Sequence, residues 1–249
     1  MALLDLNHLK NKYSLQVQKV VHVGAHKGQE VEEYLKNFPN CEIHLFEPQK
    51  KLFQLLKSNF SKSQNIYLYD YGLGSVNSVS SMYISSNEGL SSSFLKPKVH
   101  LSEHPEISFE QKNIPIKIKV LDELGIERID FLNIDTQGFE LEVLKGSKKV
   151  LKKYIKYIIL EVNKKELYEN GPHIKEIDRF LKQFGFIRTD THFWLDSYSW
   201  GDAFYIKKDL VNKKRVIFSQ LKNLLSSINL IYRVMIIARN TLWKISKNF

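Results

Sequence analysis

Along the first 210 residues, short apolar runs alternate with stretches whose apolar positions recur at helical spacing. Five runs read as strands: "KVVHVG" (19–24), "CEIHLFE" (41–47), "NIYLYDYG" (65–72), "RIDFLNID" (128–135) and "YIKYIILEV" (154–162). Helices are predicted at 28–38, 49–60, 139–151 and 173–184. Strands alternating with helices imply a mostly parallel sheet with right-handed crossovers. Two further runs, "GFIRTDTHF" (185–193) and "GDAFYIKK" (201–208), have only "WLDSYSW" between them. No crossover helix fits there, so an antiparallel pair is predicted. The fold class expected is α/β: a doubly wound, mostly parallel seven-stranded sheet with a C-terminal antiparallel hairpin.

Residues 73–120 break the rhythm. They are serine-rich, carry two β-like patches and are long for a connection. Insertions of this kind at the ligand edge of an α/β sheet tend to form lids or binding loops. The pattern changes again after Leu210. Ile217, Leu221, Leu224, Ile228, Ile231, Met235, Ala238, Leu242 and Ile245 recur at steps of four and three, the stripe of an amphipathic helix. Residues 1–209 therefore read as one domain with a substrate-side insertion, and 210–249 as a helical tail.

Composition sharpens this division. Net charge is +10, but eight of the cations and no Asp or Glu lie beyond Leu210; without them 29 cations face 27 anions. A nearly neutral body speaks against a nucleic-acid partner. The basic tail has three readings: it lies on an anionic membrane surface, pairs with a copy of itself through 213–247, or covers the body. One cysteine, Cys41, excludes an intrachain disulfide and fits a reducing compartment. The N-terminus is too charged for a signal peptide. A cytoplasmic protein, peripheral on the inner face of a membrane if the tail binds lipid, is the expectation.

In such a sheet, ligands bind beyond the carboxyl ends of the strands. The residues there are Gly24-Ala25-His26-Lys27-Gly28, Glu47-Pro48, Tyr71-Gly72, Asp135-Thr136-Gln137 and Glu161. Strand, glycine turn and helix form a nucleotide-binding unit, although His26 stands where a dinucleotide loop has glycine and His22 lies inside the strand. Gly24 permits a sharp turn, and Gly28 permits close packing of the helix. Glu47 is placed to accept hydrogen bonds from a ribose, which suggests an adenosine ligand; its alternative is a surface carboxylate at a strand end.

Taken together, "VVHVGAHKGQE", "IHLFEPQ", "YDYGLGS", "RIDFLNIDTQGFELEVLKG", "IILEV" and "WGDAFYIKK", in that order, resemble the FkbM-type methyltransferases over roughly residues 15–208. "NIDTQGFELEVLKG" is the most specific block. The resemblance implies a class I, Rossmann-like fold, S-adenosyl-L-methionine as cofactor and methyl transfer to a hydroxyl, commonly of a sugar or polyketide. The acceptor expected here is a hydroxyl of a sugar in a glycan or lipid-linked saccharide; the alternatives are a non-catalytic binding module that retains the fold and a methyltransferase acting on a non-carbohydrate small molecule. It also explains the loop: this cofactor has no pyrophosphate, so the third glycine is dispensable. Cofactor contacts are expected from His22, Gly24, Ala25, His26, Gly28, Glu47, Pro48, Tyr71, Gly72, Asp135 and Thr136. His22 departs from the aspartate of many relatives, and Gln137 from their glutamate. Methyl transfer to an alcohol benefits from a general base. The candidates are Asp135, which has a helix cap as its alternative, Glu161, which has a simple ion pair, and His100. His104, four residues from His100, and the serines at 91–93 are further acceptor-side candidates.

Overall fold

A computed structural model describes residues 4–194 and 199–211. The strands, in chain order, are β1 (Lys19–Val23), β2 (Glu42–Phe46), β3 (Ile66–Tyr69), β4 (Gly72–Leu73), β5 (Ser78–Ser85), β6 (Phe109–Lys119), β7 (Phe131–Ile134), β8 (Tyr157–Asn163), β9 (Phe186–Phe193) and β10 (Trp200–Lys207). The helices are α1 (Leu6–Tyr13), α2 (Val31–Asn37), α3 (Lys50–Phe60), α4 (His100–Glu103), α5 (Glu140–Lys145), α6 (Lys148–Lys153) and α7 (Ile174–Lys182).

Seven strands form one sheet in the order β3-β2-β1-β7-β8-β10-β9. Only β10 runs against its neighbours. The order reverses direction from β1, so a crevice opens where β1 and β7 part beyond their carboxyl ends. The strands are apolar on both faces because helices cover both. On one face Val20, Ile43, Leu45, Phe131 and Ile159 pack under Leu6 and Leu9 of α1 and Val31 and Tyr34 of α2. On the other, Val21, Val23, Leu132, Ile134, Ile158 and Leu160 meet Val143 and Leu144 of α5, Leu151 of α6 and Ile177 and Leu181 of α7.

The structure differs from the sequence pattern in three places. The run predicted as strand 65–72 ends at Tyr69, and Gly72–Leu73 joins a second, three-stranded sheet, β4-β6-β5, built from the insertion. The helix predicted over 139–151 is two helices. A Cβ on Gly146 would lie 1.9 Å from the carbonyl oxygen of Gly74, so the backbones touch there. α6 then starts anew, with Asp122 accepting from the amides of Lys149 and Val150. Helix α1 was not apparent in the sequence; Asp5 caps it by accepting from the His8 amide.

The insertion forms a roof. Lys98 and His100 donate backbone hydrogen bonds to the carbonyl of Leu167, and Glu169 donates to that of Lys96, which sews the roof to the loop after β8. The described body ends with Val211 packed into the α1 face. Among the described residues no helix is long and apolar enough to cross a membrane. The tail predicted at 210–249 lies, from residue 212 on, outside the described residues.

Candidate active site

Two clefts meet under the roof. The first, of about 570 Å3, is lined among others by Gly24, His26, Glu47, Pro48, Gly72, Asp135 and Thr136. The second, of about 1100 Å3, is lined among others by His22, Glu30, His100, Asp135, Glu161 and Asp202. Asp135, Gln137 and Leu90 line both.

The glycine loop closes one end of the first cleft. Gly24 has φ +83°, and a Cβ on it would lie 1.8 Å from the carbonyl oxygen of Asp135. Only glycine lets β1 turn against the end of β7. His26 also adopts a left-handed φ, +49°. Its ring tethers the loop to the roof: Nδ1 accepts from Gln29 and Nε2 meets the carbonyl of Glu88 at 3.0 Å. Lys27 pairs with the Glu88 carboxylate beside it. A side chain at 26 is thus a clasp. Gly28 and Ala25 line neither cleft. Gly28 packs on Phe60 and Leu56, and Ala25 is buried in the α1 face. They shape the loop from behind. Tyr71 also stays outside; it packs against the other face, with the Lys119 ammonium 4.1 Å from its ring centre.

Glu47 is buried, at 2% exposure. Its carboxylate accepts from the amides of His26 (2.9 Å) and Gln49 (2.8 Å). Burial pushes it up to about 7 against the pull of those amides. A carboxylate held this way keeps lone pairs for two further donors facing the cleft. Leu73, Met82, Leu90 and Phe94 supply apolar walls nearby. Vicinal hydroxyls beside a flat base fit this donor set, so the residues present fit the nucleoside of S-adenosylmethionine.

At the junction three acids stand side by side on the edges of β7, β8 and β10. Glu161 is directly opposite Asp202. Ile134 pairs with Leu160, which sets Asp135 next to Glu161. Gln137, at φ +54°, bridges the first two: its Nε2 donates to Asp135 Oδ1 at 2.8 Å and to Glu161 Oε2 at 2.6 Å. Its Oε1 faces the Tyr168 hydroxyl at 3.1 Å, and its carbonyl accepts from Ser93. Burial, then the charge of Asp135, pushes Glu161 well above the usual carboxylate range. Burial also raises Asp135, with Gln137 pulling it down. Asp135 nevertheless opens to the clefts, where water screens it, while Glu161 is only 5% exposed. Between two acids this close, the enclosed one keeps the proton and the open one is the anion.

Asp135 does not cap α5. That turn is stapled by Glu140, whose Oε1 accepts from the amides of Thr136 and Gly138 and from the Thr136 hydroxyl. Burial pushes Glu140 up to about 7. Sequence reasoning missed both Glu140 and the bridging role of Gln137. The only local signal was their place in "NIDTQGFE".

His22, His100 and His104 line the second cleft. Asn133 donates to the Tyr34 hydroxyl at 2.6 Å, and that hydroxyl meets His22 Nδ1 at 3.2 Å. Burial lowers His22, leaving a neutral ring. His100 is buried against His104, Phe109 and Tyr168, and among the described residues its Nδ1 has no hydrogen-bond partner. Burial lowers it to about 4, which makes it a weak base.

The comparisons agree with this geometry. The Methyltransferase FkbM domain matches residues 22–188. The 2-O-methyltransferase NoeI of Sinorhizobium fredii is 27% identical over 175 residues, covering 66% of this chain and 71% of the relative. The crystal structure of a methyltransferase FkbM from Methylobacillus flagellatus KT superposes with a TM-score of 0.51 at 13% identity, over 76% of this chain. This chain spans 43% of that one, so the likeness concerns the fold. The methyl donor of such a site is S-adenosylmethionine. Over two thirds of its length, and through the strand-end residues that build both clefts, the chain belongs to the FkbM methyltransferase family.

Proposed function

We propose that this chain transfers a methyl group from S-adenosylmethionine to a hydroxyl of a sugar, with Asp135 as general base. The observation that carries the reading is the meeting of the two clefts at Asp135 and Gln137. One cleft suits a nucleoside; the other is lined by the carboxyl groups of Glu30, Asp135, Glu161 and Asp202. The 2-O-methyltransferase relative supports a hydroxyl as the target.

S-adenosylmethionine supplies an electrophilic methyl on a sulfonium leaving group. Glu47 would hold the ribose, and the bare backbone at Gly24 would admit the rest of the cofactor. Asp135 takes the proton of the acceptor hydroxyl as its oxygen bonds to the methyl carbon. Glu161, protonated, donates a hydrogen bond to the acceptor. Gln137 keeps the two acids apart in role and together in place. Alignment and exclusion of water supply the larger part of the acceleration. The base adds about 10²–10⁴-fold. His100 lines the acceptor cleft as a neutral group. The test is calorimetry with S-adenosylhomocysteine, then incubation with glycans and mass spectrometry for the gain of one methyl. Failure to bind S-adenosylhomocysteine sinks the reading.

The basic stripe and apolar arc of the tail support placement on an anionic membrane face, where a lipid-linked saccharide would be presented. Lys and Arg near such a surface contribute about 1 kcal/mol each. Because Val211 belongs to the body, the test truncates after Asn212 and compares sedimentation with anionic vesicles. The full chain should pellet and salt should release it. If a dimer is lost instead, the tail pairs with itself.

A further inference from the structure

Tyr168, in the loop after β8, does more than fill space. Its ring is buried, at 1% exposure, against Gly138, His100 and Phe109. A Cβ on Gly138 would lie 3.0 Å from that ring, so the turn after β7 rests on it. A phenylalanine ring would pack there equally well. A hydroxyl buried in such a place is costly unless it finds partners.

It finds two. The Tyr168 hydroxyl donates to the backbone carbonyl of Ser91 in the roof at 2.8 Å and to Gln137 Oε1 at 3.1 Å, one hydrogen shared between them. At the other end of the same amide, Nε2 donates to Asp135 and Glu161. The last torsion of a glutamine is roughly two-fold, so a half-turn would exchange Oε1 and Nε2 at little steric cost. A hydroxyl donor at one end selects the oxygen for that side. Both Nε2 hydrogens are then left for the carboxyl groups. Ser93 donates to the Gln137 carbonyl at 2.6 Å and so holds the backbone of the same residue to the roof.

We propose that Tyr168 is a positioning residue for the paired acids: its hydroxyl orients the Gln137 amide, and the amide presents Nε2 to Asp135 and Glu161. The role rests on the reading of Asp135 as the base. Several charges face the pair, and Tyr168 adds none, because burial keeps its hydroxyl protonated. Burial and Glu30, at the start of α2, raise Asp135; Gln137 and the N-terminal ammonium lower it, beside the His22 ring of β1. Burial, Asp135, Glu140 of α5 and Asp202 of β10 raise Glu161, and Gln137 lowers it. His100 of α4 faces the same cleft as a neutral ring. Removing one hydroxyl leaves these groups in place and changes what holds the amide.

The test is Tyr168→Phe in the full chain, which keeps the ring contacts. Carbon NMR of side-chain carboxyl groups follows the titration of Asp135, identified by the signal lost in Asp135→Asn. Donors on Nε2 favour the ionised form, so losing them raises the acid. The Asp135 midpoint should rise by about 0.5–1 pH unit in Tyr168→Phe, the equivalent of one neutral hydrogen bond. Tyr168→Phe added to Gln137→Leu should give no further rise. Tyr205→Phe removes a buried hydroxyl that donates to Asp178, a residue of neither cleft, and should leave the midpoint in place. An unmoved midpoint in Tyr168→Phe, an equal rise in Tyr205→Phe, or a further rise on the Gln137→Leu background overturns the role. If the parent chain does not bind S-adenosylhomocysteine, the methyltransferase reading fails instead, and the titration still reads the bridge.

Discussion

The two clefts were built by different routes. The polar corners of the first cleft, Gly24, Glu47 and Asp135, each sit one residue past a strand's carboxyl end. Parallel strands bring those ends to one edge without further help. The acceptor cleft draws on the interior of β1 (His22), the start of α2 (Glu30), the insertion (His100, His104), the edges of β7 and β8, and the distant hairpin (Trp194, Trp200). In the function proposed above, the common cofactor is held by the sheet's own geometry, and the acceptor is read by what is folded over it.

Substitutions can test that division. The largest effect is expected at Gly24. Gly24→Ala places a Cβ against the Asp135 carbonyl and forces a left-handed backbone on a residue that resists it. Loss of more than about 3 kcal/mol of stability, with cofactor binding abolished, is expected in denaturant titration and calorimetry. A variant that stays as stable as the parent would mean that the loop does not press on β7.

Next comes Asp135→Asn. Turnover should fall about 10²–10⁴-fold while the chain stays folded, since Asp135 is open to the clefts and caps no helix. Single-turnover rates with saturating acceptor measure it. An unchanged rate removes Asp135 from the chemistry and leaves Glu161 as the base.

Glu47→Ala should weaken S-adenosylhomocysteine by about 1.5–3 kcal/mol, the range for a hydrogen bond to a charged group. It also strips the His26 and Gln49 amides of their acceptor, so Glu47→Gln is the milder control. The pH dependence has a definite sign. Hydroxyls donate to the ionised carboxylate, so binding favours loss of its proton. Affinity of the parent should therefore rise with pH up to about 7 and level off above it. In Glu47→Ala the rise should vanish. Neither variant should change acceptor affinity, which is the point of contrast between the clefts.

The smallest shift is expected from Gln137→Leu. It removes the donors that Nε2 offers to Asp135 and Glu161, both of which hold those acids down. Both should titrate higher, and the ascending limb of the pH–rate profile should move upward. A profile that does not move would show that the bridge has no part in setting their protonation.

Much of this site was legible along the chain. The alternation of runs announced the sheet, the close spacing of 185–193 and 201–208 announced the antiparallel strand, and Gly24, Glu47 and Asp135 stood where strand ends place ligands. Four residues expected at the cofactor do not line the first cleft: Ala25, Gly28 and Tyr71 support it from outside, and His22 lines the second cleft. Ala25 is buried in the α1 face, Gly28 backs onto Phe60 and Leu56, and Tyr71 packs on the other face; a loop residue's direction does not follow from its position in sequence.

What the sequence determined by itself is therefore local: the period that makes each strand and helix, the glycines that permit left-handed turns, and the acids at strand ends. Those features act over a few residues, where spacing and covalent geometry are enough. The tertiary structure decided the rest. Register across β7, β8 and β10 set Asp135, Glu161 and Asp202 in one row, and burial then divided the proton between two of them. Asn133 reached Tyr34 across 99 residues and so held the tyrosine hydroxyl beside His22. The roof turned His26 from an odd loop residue into a clasp on Glu88. Contacts between distant segments depend on which faces pack together, and no short stretch of chain carries that information.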